Sequence, residues 1–339
     1  MVNIEKNDFL KIISTIKSRI SETKIEIFQN ANKSLLNLYY DIGRIISENS
    51  KWGNKFIDDL AMELKMSYPS IKGFSVRNLK SMKKYYLVCS RNQKVQTVSA
   101  QIPWSHNMLI IDKISEDKKR IWYMEETRAN GWSYNLLAFQ IKSNLYERQA
   151  NKKKLNNYKK ALPTPQGNLA DEIMKDPYIL NFTELEENYS ELDLEKMIVK
   201  KIKDTLLELG NGFSFIGEQY RIEVANKDYF IDLLFYHTKL HCHAVVELKN
   251  TEFKPEYIGK ISFYLSAIDE KVKSETDNPS IGLILCREKD RLLVEYALRR
   301  STGPIGVSSY KVGGTLPKEL TSELPSEDDL NLHINMGML

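Results

Sequence analysis

The hydrophobic period of this chain changes once, and that change limits what the chain can fold into. Up to about residue 150, apolar residues recur every three or four positions, as on one face of a helix. Beyond about residue 210 they form short, nearly unbroken runs bounded by turn residues, as in strands. A chain of 339 residues with one such switch suits two domains of about 150 residues each. We place the boundary in the change of composition between Ala150 and Gly167. There a lysine-rich run (Lys152-Lys153-Lys154, Lys159-Lys160) leads into Pro163-Thr164-Pro165-Gln166-Gly167, which reads as a linker. Residues 1–160 are then a helical domain, and residues 161–339 an α/β domain around a mixed sheet.

The helical half begins with long amphipathic helices over Phe9–Ile46, with Leu10, Ile13, Ile16 and Ile20 and later Leu35, Leu36, Leu38, Ile42 and Ile45 on the apolar face. Trp52-Gly53 breaks the pattern. A helix from about Asn54 to Met66 follows, then a turn around Pro69 and Gly73, then a helix from Val76 to about Tyr86 with Ser75 as its N-cap. This is a helix, a turn and a helix. The second helix carries Arg77, Asn78, Lys80, Lys83 and Lys84 between Leu79, Met82 and Tyr85, a polar face suited to phosphates or base edges. The plainer reading is a surface helix of a bundle. Ser115 and Ser133 are placed to cap helices over Glu116–Arg128 and Tyr134–Arg148. Trp104, Trp122 and Trp132 suit a small helical core better than base stacking, and His106 reads as a helix-start residue.

In the second half, Ser190–Leu209 reads as one helix stopped by Gly210. Strand-like runs follow at Phe213–Gly217, Gln219–Val224, Tyr229–His237 and His241–Lys249, joined by turns at Asn226-Lys227-Asp228 and Thr238–Leu240. A helix from Pro255 to about Ile268, a strand over Ser280–Arg287 and a helix over Glu288–Arg299 complete an α-β-β-β-α-β-α order.

Charge is divided unequally. Residues 1–160 hold 29 Lys and Arg against 15 Asp and Glu, whereas the remainder holds 20 against 30. A basic half beside an acidic half points to a polyanion partner for the first, with a solvated lysine-rich surface as the alternative. No apolar run approaches the roughly 18–20 residues that span a bilayer, and the first twenty residues contain no signal-peptide core. The three cysteines, Cys89, Cys242 and Cys286, are too far apart for a disulfide framework or a zinc ribbon. Together these features suggest a reduced, cytoplasmic protein.

Two strands carry charge where strands of this kind should carry none. Asp232 interrupts the apolar run Tyr229–Tyr236, and Glu247 and Lys249 lie in Ala244–Lys249. A buried charge without a partner costs several kcal/mol, so each needs a counter-charge or a metal. Residues two apart share a strand face, so Glu247 and Lys249 project together. Asp232 on the adjoining hairpin strand can meet them. Two carboxylates and the backbone carbonyl of Leu248 form a hard oxygen set suited to Mg²⁺ or Mn²⁺, and the Lys249 ammonium can orient or help deprotonate an attacking water. The competing reading is a structural Glu247–Lys249 salt bridge. His237, His241 and His243 are close in sequence but lack a four-ligand zinc spacing, and a hairpin turn accounts for them better.

Asp232, the hairpin, Glu247-Leu248-Lys249 and the element order resemble the PD-(D/E)xK nuclease superfamily. More narrowly, Phe230–His237, Val246–Lys249 and Ile281–Cys286 resemble YhcG-type bacterial proteins, as do Trp52-Gly53, Gly73–Leu79 and Trp104-Ser105-His106 in the first half. The resemblance implies a helical, winged-helix-like N-terminal domain joined to a restriction-endonuclease-like domain. It also implies an acid from the helix before the first strand, a place held by Glu208, for which a surface acid is the alternative. Polar residues after Glu-x-Lys are implied too. Glu256, Lys260 and Tyr264 fall at four-residue spacing there, with lysine where such families commonly have glutamine, and Gln219 is a further candidate.

The expected activity is Mg²⁺- or Mn²⁺-dependent hydrolysis of nucleic-acid phosphodiesters, with double-stranded DNA as substrate, in restriction, repair or defence against mobile elements. Cutting both strands with one site per chain favours a homodimer. The alternatives are a catalytically silent nucleic-acid-binding adaptor and a subunit of a larger restriction or repair assembly.

Overall fold

The computed structural model describes residues 6–49, 55–71, 73–150, 153–180 and 189–312. The Trp52-Gly53 break lies outside them. The chain divides into two compact units, Met1–Ala138 and Phe139–Leu339. The division thus falls ahead of the Pro/Gly stretch that reads as a linker in the sequence.

The first unit contains α1 (Lys6–Glu48), α2 (Lys55–Ser67), α3 (Val76–Cys89), α4 (Gln93–Ser99), α5 (Trp104–Lys113), α6 (Asp117–Asn130) and the start of α7 (Tyr134–Lys142). It is helical, as the 3.6-residue period predicts. No strand, and so no wing, occurs among its described residues. Tyr39 and Ile46 of α1, Ala61 of α2 and Leu79 and Met82 of α3 make its core, with Trp104 packed against them. The α1–α3 approach is close enough to require glycine, because a Cβ on Gly43 would lie 2.1 Å from the Met82 carbonyl oxygen. Ser75 caps α3 as predicted, its hydroxyl accepting from the Asn78 N–H at 3.2 Å. Ser115 does not cap α6. Glu116 holds that place and makes no side-chain capping bond.

The second unit holds the rest of α7, α8 (Leu145–Gln149), β1 (Leu155–Asn156), α9 (Tyr158–Ala161), α10 (Thr164–Ile173), β2 (Tyr178–Leu180), α11 (Glu191–Lys200), α12 (Ile202–Leu209), β3 (Phe213–Val224), β4 (Lys227–His237), β5 (Cys242–Glu252), α13 (Tyr257–Lys271), β6 (Ile281–Glu288), α14 (Arg291–Leu298) and β7 (Ile305–Val312). The sheet order is β1-β7-β6-β5-β4-β3, with β2 added beside β7. The β3/β4 and β4/β5 pairs are antiparallel and the β5/β6 and β6/β7 pairs parallel, so the sheet is mixed. One face carries Leu233, Phe235, Val246, Leu248 and Leu283 with Leu194, Ile198 and Leu209 from the preceding helices. The other carries Leu234, Val245, Ile284 and Val307 with Ile261, Leu265 and Ile268 of α13.

Several sequence expectations need correction. The helix expected over Tyr134–Arg148 is interrupted at Asn144, which takes a left-handed conformation (φ 52°). The single helix expected over Ser190–Leu209 is two, because Lys201 leaves helical geometry (φ −111°, ψ 36°) and the Thr205 hydroxyl donates to the Ile198 carbonyl at 3.3 Å. The two runs Phe213–Gly217 and Gln219–Val224 are one strand with a bulge between Phe215 and Gly217. The element order α-β-β-β-α-β-α omits β7, whose Ser308-Ser309 pair breaks the apolar run. Ser308 is fully buried and donates to the Lys175 carbonyl at 2.8 Å, which satisfies its hydroxyl inside the sheet. The Pro/Gly stretch is the start of α10, with proline in the first turn, where its missing N–H costs nothing. A Cβ on Gly167 would lie 2.8 Å from the Tyr158 carbonyl oxygen, so this glycine permits close helix packing. Among the described residues no helix is long and apolar enough to cross a membrane.

Candidate active site

The β4/β5 ladder stops at Leu233↔Val246. Immediately beyond it, the Leu248 N–H donates to Asp232 Oδ2 at 2.8 Å. A side chain has replaced a ladder bond, and the two strands open where the charged residues begin. This is the C-terminal end of β5, whose neighbour β6 is parallel; strand ends of this kind are where α/β sheets place their sites.

Alternation on β5 sends Ala244, Val246 and Leu248 to one core and Val245 to the other. Glu247 and Lys249 therefore share the face covered by α13, as their spacing predicts. Lys249 Nζ lies 3.0 Å from Glu247 Oε1. From α13, Lys260 Nζ also donates to Glu247 Oε1. Glu247 is fully buried, and its Oε2 has no hydrogen-bond partner. Lys249 is also held by Glu191 of α11 at 2.9 Å and by the Leu248 carbonyl at 2.7 Å. The Leu248 oxygen that the sequence offers to a metal thus accepts from an ammonium here.

Burial and the neighbouring Glu247 charge push the Asp232 carboxyl up to about 6, against the opposing pull of the Leu248 N–H, Lys260 and Lys249. Burial alone would lower the Lys249 ammonium, but Glu247 and Glu191 outweigh it and raise Lys249 above the usual lysine range. A raised Lys249 favours its ammonium form, which suits orienting water or phosphate.

The other sequence candidates separate. Lys260 joins the cluster, and the Tyr264 ring lies 5.4 Å beneath its ammonium. The Tyr264 hydroxyl donates to the Phe230 carbonyl at 2.7 Å, tying α13 to β4 beside Asp232. Glu256 is exposed at the start of α13. Gln219, held at φ 42° in β3, donates to Glu195 Oε2 at 2.7 Å. Glu208 is not brought here. Its carboxylate accepts from Arg148 at 2.5 Å and from the Ile179 N–H at 2.8 Å, and Lys175 lies 3.8 Å away. The helix acids near the site are Glu191 and Glu195. Burial first, then the Asp232, Glu218 and Glu247 charges, raise Glu195 despite the Gln219 bond. The sequence singles out only the acid nearest the first strand, Glu208, and not Glu191 or Glu195 in the first turns of the same stretch. The capping box of Ser190 and Asp193 that opens α11 was the available signal.

The histidines belong to the hairpin. His237 Nδ1 accepts from the Leu240 N–H at 3.0 Å, and the His237 ring packs edge-on against Phe213. Burial lowers it to about 4, with Lys239 adding to the effect. His243 packs against Tyr236. Among the described residues no group of three or more His, Cys, Asp or Glu side chains is placed to hold a metal ion.

On α3, Arg77, Lys80 and Lys84 line a shallow depression of about 580 Å³ with Val76 and Ser81. Lys83 is half-buried, and Lys84 pairs with Asp112 at 2.6 Å. Asn78 is not free to read bases. Its amide donates to the Gly73 carbonyl and accepts from the Trp104 indole at 2.9 Å, so both ends are used to hold the turn. Trp104 packs edge-on against Tyr39 and Tyr85, and Trp122 against Tyr123. His106 is at the start of α5 and shares a 2.9 Å hydrogen bond with the Trp132 carbonyl.

Comparison with known proteins adds to this geometry. Residues 171–325 match the YhcG PDDEXK nuclease domain, and residues 15–148 match the DUF1016 N-terminal domain. The candidate nuclease YhcG of Escherichia coli (strain K12) is 29% identical over 346 residues, covering 90% of each chain. Among solved structures, an EndoMS complex with double-stranded DNA is 13% identical, with a TM-score of 0.27 over 41% of this chain and 50% of that one. A repair endonuclease from Pyrococcus abyssi is 12% identical, with a TM-score of 0.25 over 40% and 51%. The chain spans about half the length of these solved proteins, and likenesses of that size bear no weight. The two domain matches, one on each half, do: residues 15–148 are a DUF1016 N-terminal domain and residues 171–325 a YhcG PDDEXK nuclease domain.

Proposed function

We propose that this protein is a Mg²⁺- or Mn²⁺-dependent endonuclease acting on double-stranded DNA. The carrying observation is Glu247, a fully buried carboxylate with one oxygen unsatisfied, beside Asp232 where the β4/β5 ladder opens. An orphaned carboxylate oxygen in a dry site is costly, and a hard cation is the partner that fits it. Asp232 and Glu247 would hold the ion, while the Leu248 carbonyl keeps accepting from Lys249. When bound, the ion would supply the positive charge that offsets charge growing on the attacked phosphate.

The protein's own groups complete the chemistry. Lys249, kept protonated by Glu247 and Glu191, presents an ammonium to a phosphate oxygen or orients the attacking water. Glu191 fixes the direction of that ammonium. Tyr264 keeps α13 against β4 beside Asp232. In this reading the basic residues 1–160 grip the duplex, with Arg77, Lys80, Lys83 and Lys84 on phosphates, while residues 161–339 cut it. A homodimer would provide two sites for two strands.

A plasmid-cleavage assay with Mg²⁺ or Mn²⁺ tests the assignment. Cleavage should disappear in folded Asp232→Ala, Glu247→Ala and Lys249→Ala proteins, and cleavage surviving all three would refute it. Calorimetry with Mn²⁺ separates the enzyme from a silent adaptor, which would show no binding heat at Asp232 and Glu247.

A further inference from the structure

Glu247 has two ammonium partners of very different mobility. Lys249 has 10% of its side chain exposed and is fixed by three acceptors: Glu247, Glu191 and the Leu248 carbonyl. Lys260 reaches the same Glu247 oxygen from α13 with 41% of its side chain exposed, and its ammonium rests over the Tyr264 ring. The two ammoniums face Asp232 and Glu247, with Lys249 shared by Glu191 and with Glu195 near the two carboxylates. A dication entering beside Glu247 would meet both ammoniums, and like charges a few ångströms apart in a partly dry site repel strongly. One ammonium must leave, and only Lys260 has both solvent to move into and a flexible four-carbon stem to carry it there.

We propose that Lys260 is an internal counter-cation, occupying Glu247 in the metal-free protein and displaced into the cleft when a divalent cation binds. The inference rests on the metal-site reading of Asp232 and Glu247. It goes further by assigning Lys260 to neither ligation nor structure alone. In the metal-free state Lys260 keeps Glu247 from being an under-compensated buried charge. Metal binding is then an exchange of one cation for another, so Lys260 sets the affinity of the site. No other group needs to move, because Glu247 Oε2 is already without a partner.

The test uses the full chain, freed of metal by chelation. Reductive methylation followed by mass spectrometry reads the accessibility of each lysine amine with and without Mg²⁺. Lys260 labelling should rise severalfold on adding Mg²⁺ while Lys249 stays protected, and the rise should vanish in Asp232→Asn. Calorimetry with Mn²⁺ gives the second readout. Lys260→Met keeps the stem and removes the charge, and should bind Mn²⁺ about tenfold more tightly than the parent protein. Asp232-dependent Mn²⁺ binding with unchanged or reduced Lys260 labelling would overturn the proposal, as would equal or weaker binding by Lys260→Met. Absence of any Asp232-dependent Mn²⁺ binding in both proteins would instead remove the metal-site reading itself, and this inference with it.

Discussion

The Leu248 N–H donates to Asp232 Oδ2 at 2.8 Å, one residue past the last paired position of the β4/β5 hairpin. This bond aims Asp232 toward Glu247 and leaves Leu248 packed in the opposite core, where the paired part of the two strands ends. Much of the site's behaviour follows from it.

Asp232 should give the site its pH dependence. Its pKa is raised to about 6 by burial and by Glu247, so the folded protein holds this proton more firmly than the unfolded chain does. Stability of the metal-free protein from this group is full below the unfolded value of about 4 and declines as pH rises through about 6. Asp232→Asn should remove that decline and leave the metal-free protein more stable by about 1–3 kcal/mol at pH 7, measured by urea unfolding in chelator. Cleavage should move in the opposite direction, falling on acidification as protons compete with the cation for Asp232.

Glu247→Ala should be destabilising as well as inactive. It strands Lys249 and Lys260 around an empty buried position, and removing one partner of a buried pair costs about 3–5 kcal/mol. Urea unfolding checks the size of the loss. A loss below about 1 kcal/mol would mean that the carboxylate is not a structural counter-charge.

Glu191→Gln should separate positioning from folding. Glu191 has 42% of its side chain exposed, so its loss should cost little stability, under about 1 kcal/mol. With Lys249 no longer aimed by this carboxylate, kcat should fall by about tenfold with KM nearly unchanged. Steady-state cleavage kinetics read the split.

Arg148→Ala or Glu208→Ala should destabilise the second unit by about 3–5 kcal/mol, because each breaks a fully buried ion pair. The remaining folded fraction should cut at the parent rate per molecule. An activity loss larger than the loss of folded protein would restore Glu208 to the catalytic set.

On α3, replacing Arg77, Lys80 and Lys84 together with alanine should weaken DNA binding and lower the slope of log affinity against log salt by about 0.9 per lost phosphate contact. Asn78→Ala should instead cost about 1–3 kcal/mol of stability, since its amide links Gly73 and Trp104. Fluorescence anisotropy across a salt series and thermal unfolding distinguish the two outcomes.

What the sequence determined by itself is local and periodic. The change of hydrophobic period separated a helical half from a strand-bearing half, and Ser75 and Gly210 marked helix ends because capping depends on neighbouring backbone groups. Two-residue alternation placed Glu247 and Lys249 on one face, and the cost of a buried charge singled out Asp232. What only the tertiary structure decided is which distant groups complete the set. Glu191 pairs with Lys249 and Glu195 with Gln219, while Glu208 pairs with Arg148, and none of these partners is near its acid in sequence. β7 was hidden because Ser308 and Ser309 are satisfied by Lys175 and Asp176, more than 130 residues away in sequence. The role of Lys260 depends on α13 crossing above Glu247, and Asn78 was claimed by Trp104 before it could face a base. Periodicity reports which face of an element is buried; the partner that meets that face is set by packing between elements, which sequence spacing does not encode.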